Sequence, residues 1–140
     1  MAIYVFEDCF TSIANNELKA TKVVIEDGNT EIPATRAGDT APNSIPGAVK
    51  QSITMTFLQD YSSGQVHATL DAALAATRAG NTVAVVVRPD SGAASATNPE
   101  YSGAMKLFEY KPLDAGWGEK QDVVATFKTA GTALTKNTGA

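Results

Sequence analysis

His67 and Cys9 are the only histidine and the only cysteine in the 140 residues, so the stock of soft ligands and strong nucleophiles ends there. A protein zinc site draws on several such ligands, and this pair cannot supply them. Cys9 has no second thiol with which to close a disulfide or a redox couple. It reads as a free buried thiol, which suits a reducing compartment. His67, alone just ahead of a predicted helix, reads as a surface or capping residue. Carboxylates such as Asp60 and Glu109 are spread over separate predicted strands, where only the folded chain could pair them for glycoside hydrolysis. The segments "RAGDT" and "GNT" are turn chemistry, because a phosphate loop needs the GxxxxGK[ST] pattern. "DAGWG" at 114–118 places glycines around Trp117 but lacks GxGxxG spacing and does not open a helix. No catalytic set, no metal site and no cofactor is expected.

Charge and length narrow the classes further. Eleven basic against fifteen acidic residues leave a net charge of −4, and the lysines and arginines are scattered singly. Without a basic stripe, tight nucleic-acid binding is disfavoured. With 44% hydrophobic and 19% charged residues the chain is globular, and its length predicts a single domain over 1–140. The opening "MAIYVFEDCF" lacks the positive region of a signal peptide. The run "VAVVV" at 83–87 falls far short of a membrane span, so no membrane anchor is expected.

The elements that carry these residues are mostly strands. "VKQSITMTFLQDY" at 49–61 alternates Ile53, Met55 and Phe57 with Ser52, Thr54 and Thr56, giving one packed and one wet face. "QDVVATFKT" at 121–129 repeats the pattern with Val123, Ala125 and Phe127. "AMKLFEYK" at 104–111 alternates with a phase slip at Leu107–Phe108, which predicts a β-bulge. "TVAVVV" at 82–87 reads as a covered strand, and 3–7 and 21–26 are shorter candidates. One helix is expected over about 69–79, with Thr69 as N-cap, Asp71 in the first turn, Arg78 in the last and Gly80 just beyond. Its stripe of Leu70, Ala73 and Leu74 must lie on the sheet, because so short a helix is unstable alone. The fold class is mainly β, a sandwich or barrel-like sheet carrying one helix.

Two connections are unusual. "RPDSGAASATNPEYSGAM" at 88–105 is small, polar and unreactive, and Pro99 keeps Asn98 out of helical geometry, predicting an extended connector. The stretch at about 27–48 holds three prolines and three glycines and exceeds the ~12–15 residues of ordinary connections. It reads as a long loop in which "TEIPATRA" could hold a short edge strand, since Pro33 is tolerated only at a sheet edge. Arg36, Asp39, Thr40 and Asn43 give it polar groups for a wet contact with another subunit. Trp117, between two glycines, reads more simply as a plug over the core than as an exposed contact.

Three segments taken together resemble a known family: "IPGAVKQSITMTFLQDYSSGQVHATLDA" at 45–72, "VAVVVRPDSGAASATNPEYSG" at 83–103 and "YKPLDAGWGEKQDVVATFKTAG" at 110–131. They resemble the major tail tube proteins of long, non-contractile-tailed bacteriophages, a fold shared with type VI secretion tubes. The specific parts are "FLQDYSSGQVHATL" and "ATNPEYSG". His67 stands where the pattern often has Asp, and "AVKQ" replaces "LKD". The resemblance implies a virion tail subunit, assembled in the host cytoplasm, with no enzymatic activity. It implies six copies per ring, stacked rings, and a channel through which viral double-stranded DNA passes without specific binding. Tape measure, terminator and baseplate proteins are the implied partners beyond the chain itself. On that reading Ser52, Thr54 and Thr56 face the lumen or solvent. A secretion-type tube, or another tail component of the same fold, is the alternative use. A carbohydrate-binding β-sandwich is the alternative class, and it would need a platform of exposed aromatics.

Overall fold

Alternation decides the centre of the molecule. Ile53, Met55 and Phe57 are each 0% exposed, and the intervening Thr54 and Thr56 sit half-buried on the opposite face. They belong to a computed structural model that describes residues 9–113 and 115–139. The expected strand at 3–7 lies outside the described residues. In chain order the elements are β1 (Phe10–Ile13), β2 (Asn16–Glu17), β3 (Ala20–Pro33), β4 (Ser44–Leu58), α1 (Val66–Arg78), β5 (Val83–Arg88), β6 (Glu100–Tyr110), β7 (Asp122–Thr129) and β8 (Thr135–Asn137). The strands form one open antiparallel sheet in the order β2-β1-β5-β6-β7-β4-β3, with β8 pairing the start of β6. This is the mainly-β architecture with one helix that the sequence predicts.

The register lines the apolar residues up on one face. Ile53 pairs with Phe127, Met55 with Ala125 and Phe57 with Val123, and Val85, Met105 and Leu107 continue the same buried layer. Each large apolar side chain buried there contributes about 1.5–3 kcal/mol relative to exposure. Helix α1 closes this face with Val66, Leu70 and Ala73. Its N-cap lies four residues earlier than the capping signals suggest. Gln65 is the N-cap without a side-chain cap bond, so Asp71 falls beyond the first turn and Thr69 is buried inside the helix rather than capping it. A valine with an i+4 leucine adds core contact at Val66, and that outweighs the side-chain cap. Arg78 does lie in the last turn.

The phase slip in β6 is a bulge, as expected. Leu107 pairs with Phe127 but Glu109 already pairs with Thr126, leaving Phe108 as the extra residue, 57% exposed. The insertion returns Tyr110 to the core face instead of sending it outward. At the same place Thr77 Oγ1 accepts the N–H of Leu107 (2.9 Å) and donates to the carbonyl of Ala73 (3.0 Å), tying the end of α1 to the bulge.

The connector after β5 spans only 89–99, because β6 begins at Glu100. It is curled rather than extended. The Asn98 amide donates to the carbonyls of Asp90, Gly92 and Ala93 at 3.1–3.2 Å and its oxygen accepts the N–H of Asp90 at 3.0 Å. Asn98 and Ser95 also exchange two backbone bonds. One buried side chain therefore supplies the hydrogen bonds that a small-residue loop would otherwise seek from water.

Candidate assembly surfaces

The reactive groups do not converge. Cys9 is buried and free, with Sγ 3.7 Å from Thr11 Oγ1. His67 sits in the first turn of α1, where Nδ1 lies 2.8 Å from the Tyr110 hydroxyl and its ring 4.9 Å from that of Tyr61. The amide of Gln59 donates to the same hydroxyl at 3.1 Å. Burial holds the Tyr110 phenol above its ordinary pKa. The cluster joins helix to sheet. Among the described residues no group of three or more metal-ligating side chains comes together. Asp60 has its pKa lowered by the N–H of Ser62, a turn contact at the exposed surface.

The stretch read as a long loop at 27–48 is mostly paired strand. β3 and β4 stay in register from Ile25↔Ile53 out to Pro33↔Ser44, with an irregularity between Asn29 and Glu31. Only 34–43 turns. Paired backbone groups satisfy one another in a hairpin, which is why a segment with three prolines is still ordered: Pro33 and Pro46 sit on an outer ribbon where missing N–H groups cost little. The turn is held by its own polar atoms. The N–H of Arg36 donates to Asp39 Oδ2 (2.7 Å) and the N–H of Asn43 donates to Thr35 Oγ1 (2.9 Å). Arg36, Asp39, Thr40 and Asn43 are all at this tip and all exposed.

The distal hairpin is an arm, and among the described residues both its edges are open. There β3 ends the sheet and β4 pairs with β7 only over Ser52–Leu58, so no described strand flanks Ser44–Gln51 on that side. From Glu26 to Pro33 the ribbon runs about 23 Å at roughly 3.3 Å per residue. Its apolar side chains stay in solvent: Ile32 is 45% exposed, its cross-strand partner Ile45 49% and Val49 51%. Where β7 stops, a cleft of about 510 Å³ opens beside the arm root, lined by Glu26, Lys50, Ser52 and Lys128 among others. The root itself is anchored. Gln51 donates to Asp27 Oδ1 (2.9 Å) and accepts the N–H of Leu134 (2.9 Å). Leu134 lies over Gly103, where a Cβ would come within 2.9 Å of its side chain.

Ser52, Thr54 and Thr56 are brought together on the face of the sheet opposite the core. Across the register they stand beside Lys128, Thr126 and Val124 on one side and Glu26, Val24 and Lys22 on the other. Lysines and carboxylates share this face with the hydroxyls.

Trp117 is not a plug. It is fully exposed at the corner of a turn in which the N–H of Glu119 donates to the carbonyl of Gly116. The positive φ of Gly118 (75°) suits the third position of a type II turn, which throws the second residue outward. The pattern G-x-G fixes the turn.

The sequence matches the family model described as phage tail tube protein over residues 14–111. Comparison with curated proteins gives no match. Among solved structures the chain is similar to one from the virion of a native gene transfer agent particle, at TM-score 0.60 and 14% identity, covering 93% of this chain and 95% of that one. It is similar to a chain of the sheath–tube complex of an extracellular contractile injection system in the extended state, at TM-score 0.67 and 10% identity, covering 98% and 92%. A third similarity is to the SPP1 tail tube, at TM-score 0.65 and 12% identity, covering 94% and 76%.

Proposed function

This chain belongs to the phage tail tube protein family, and from that premise we propose that it closes into six-membered rings stacked into a hollow tail tube that passes double-stranded DNA. The subunit acts as one domain over 1–140 and carries out no catalysis. The observation that supports this reading best is the arm. A two-stranded ribbon is marginal by itself in water, and this one keeps open edges and three bare apolar side chains. Such a ribbon suits a contact with another copy, to which its backbone can add hydrogen bonds without demanding particular side chains. The residues at its tip, Arg36, Asp39, Thr40 and Asn43, would make the wet part of that contact.

The uncovered face with Ser52, Thr54 and Thr56 is the proposed lumen. Short hydroxyls among charges of both signs offer the duplex no row of cations to hold it. Assembly in the host cytoplasm and contacts with tape measure, terminator and baseplate proteins belong to the same reading.

Electron microscopy of the concentrated full-length protein tests it, with hollow tubes or six-fold rings as the expected result. Replacing residues 28–47 by a short Gly-Ser link should leave the sheet and helix folded, since closing a shorter loop costs less, while abolishing tube growth. Tubes of normal rigidity from the shortened protein would show that the arm is not the stacking element.

A further inference from the structure

Two groups of exposed apolar side chains stand at opposite ends of β4, apart from Val24, Phe108 and Val124 elsewhere on the sheet. At its first end stand Ile32, Ile45 and Val49 of the arm. At its last end are Leu58 (48% exposed), Leu113 (76%) and Trp117 (fully exposed). The loop that carries Leu113 and Trp117 joins β6 to β7, and the antiparallel register puts it beside Leu58, which pairs with Asp122. This loop is pinned at its base. The carbonyl of Pro112 accepts from Gln59 Nε2 (2.7 Å), the Tyr61 hydroxyl (2.6 Å) and Gln121 Nε2 (3.1 Å). The indole is therefore held out from a fixed support, which lowers the ordering cost of any contact it makes.

We propose that the Trp117 loop of one copy is the receptor for the arm of the next copy along the tube axis, with Leu113 and Trp117 covering Ile32 and Ile45. The occupant follows from the geometry together with the tube reading, on which this inference rests. Copies displaced along the β4 direction bring the arm end of one to the loop end of the other. Two different patches on one chain make a head-to-tail contact, which repeats without closing and so builds a filament. Tryptophan is the side chain whose burial most often dominates such a contact.

Trp117 is the sole tryptophan of the chain, so its fluorescence reports this site alone. In the unassembled full-length protein, and in the protein with the shortened arm, emission should be red-shifted and fully quenched by iodide. In tubes, separated by sedimentation, emission should shift to the blue and resist iodide. Trp117→Ser removes a side chain that stands in solvent in the free subunit. It should leave the melting temperature unchanged and raise the concentration needed for tube growth by about tenfold or more. Tubes in which Trp117 stays as quenchable as in the shortened protein overturn the inference while leaving the arm's role intact. So does an unchanged assembly concentration for Trp117→Ser. A chain that never forms tubes overturns the tube reading and this inference with it.

Discussion

The same two strands, β3 and β4, run through the body of the molecule and through the arm, and they meet opposite circumstances in each. In the body, β4 lies between β3 and β7 and buries Ile53, Met55 and Phe57 completely in the core that Val66, Leu70 and Ala73 of α1 also enter. In the arm it has one neighbour, and Ile45 and Val49 remain about half exposed. Local pairing is alike in both, since the ladder continues from Ala20↔Phe57 to Pro33↔Ser44 with two irregularities. What differs is cover: a third strand and the core cluster in the body, and solvent over the apolar side chains of the arm. Hydrogen bonds between strands contribute modestly in net terms, whereas removing apolar area from water decides whether a sheet holds. The body accordingly stores the stability of the subunit. The arm leaves its apolar side chains in solvent.

Substitutions that separate stability from assembly test that contrast. Met55→Asp should have the largest effect, about 3–5 kcal/mol from a buried unpaired charge, and should abolish fold and tubes together in a denaturant titration and by microscopy. Asn98→Ala leaves the N–H and the three carbonyls around it without their amide partner, and should cost about 1–3 kcal/mol in the same titration while surviving molecules still assemble. Tyr110→Phe removes the hydroxyl shared by Gln59 and His67 and should cost about 1 kcal/mol.

Tyr110 also carries a pH signature. Its folded pKa is raised by burial above the ordinary 10.0, so folding favours the neutral phenol. That contribution is complete below 10.0 and is lost as pH rises through the folded value. Melting temperatures followed through this alkaline range should fall more steeply for the wild type than for Tyr110→Phe. The smallest effects on folding, within about 0.5 kcal/mol, are expected for Ile45→Ser and Thr54→Lys. Ile45→Ser should nevertheless impair tube growth, because its side chain has little to touch in the free subunit. If Thr54→Lys unfolds the protein as readily as Met55→Asp does, the assignment of the two faces of β4 is wrong.

The body was legible in the sequence because burial leaves a periodic trace. Alternation in 53–57 and 123–127 marks the core face, and the adjacent Leu107 and Phe108 mark the bulge, since an inserted residue must break the alternation. Apart from a short edge strand suggested at "TEIPATRA", the arm was not legible as strand for the converse reason. Neither of its faces is buried, so no alternation is selected, and its prolines read as loop. The start of α1 was set by the packing of Val66, a tertiary contact that overrides the capping signal at Thr69. β1, β2 and β8 are too short to show a period and exist through their partners. The position of Trp117 follows from a turn, but its exposure depends on what the rest of the chain fails to cover. Arg36, Asp39, Thr40 and Asn43, expected along a long loop, stand in the 34–43 turn of a hairpin.

The anchoring of Gln51 has a bearing on when the arm takes its place. Its amide binds Asp27, but its oxygen holds the N–H of Leu134, which follows it by 83 residues. A ribosome must therefore deliver Leu134 before the root of the ribbon can be locked, and the Gly103 notch stays empty until then. Both strands of the ribbon leave the exit tunnel long before that moment. Until then the ribbon is held by its own cross-strand pairing, including the Gln51–Asp27 bond, and by the pairing of β4 with β7. The final pose of the ribbon root is thus set only once Leu134 has been added to the chain.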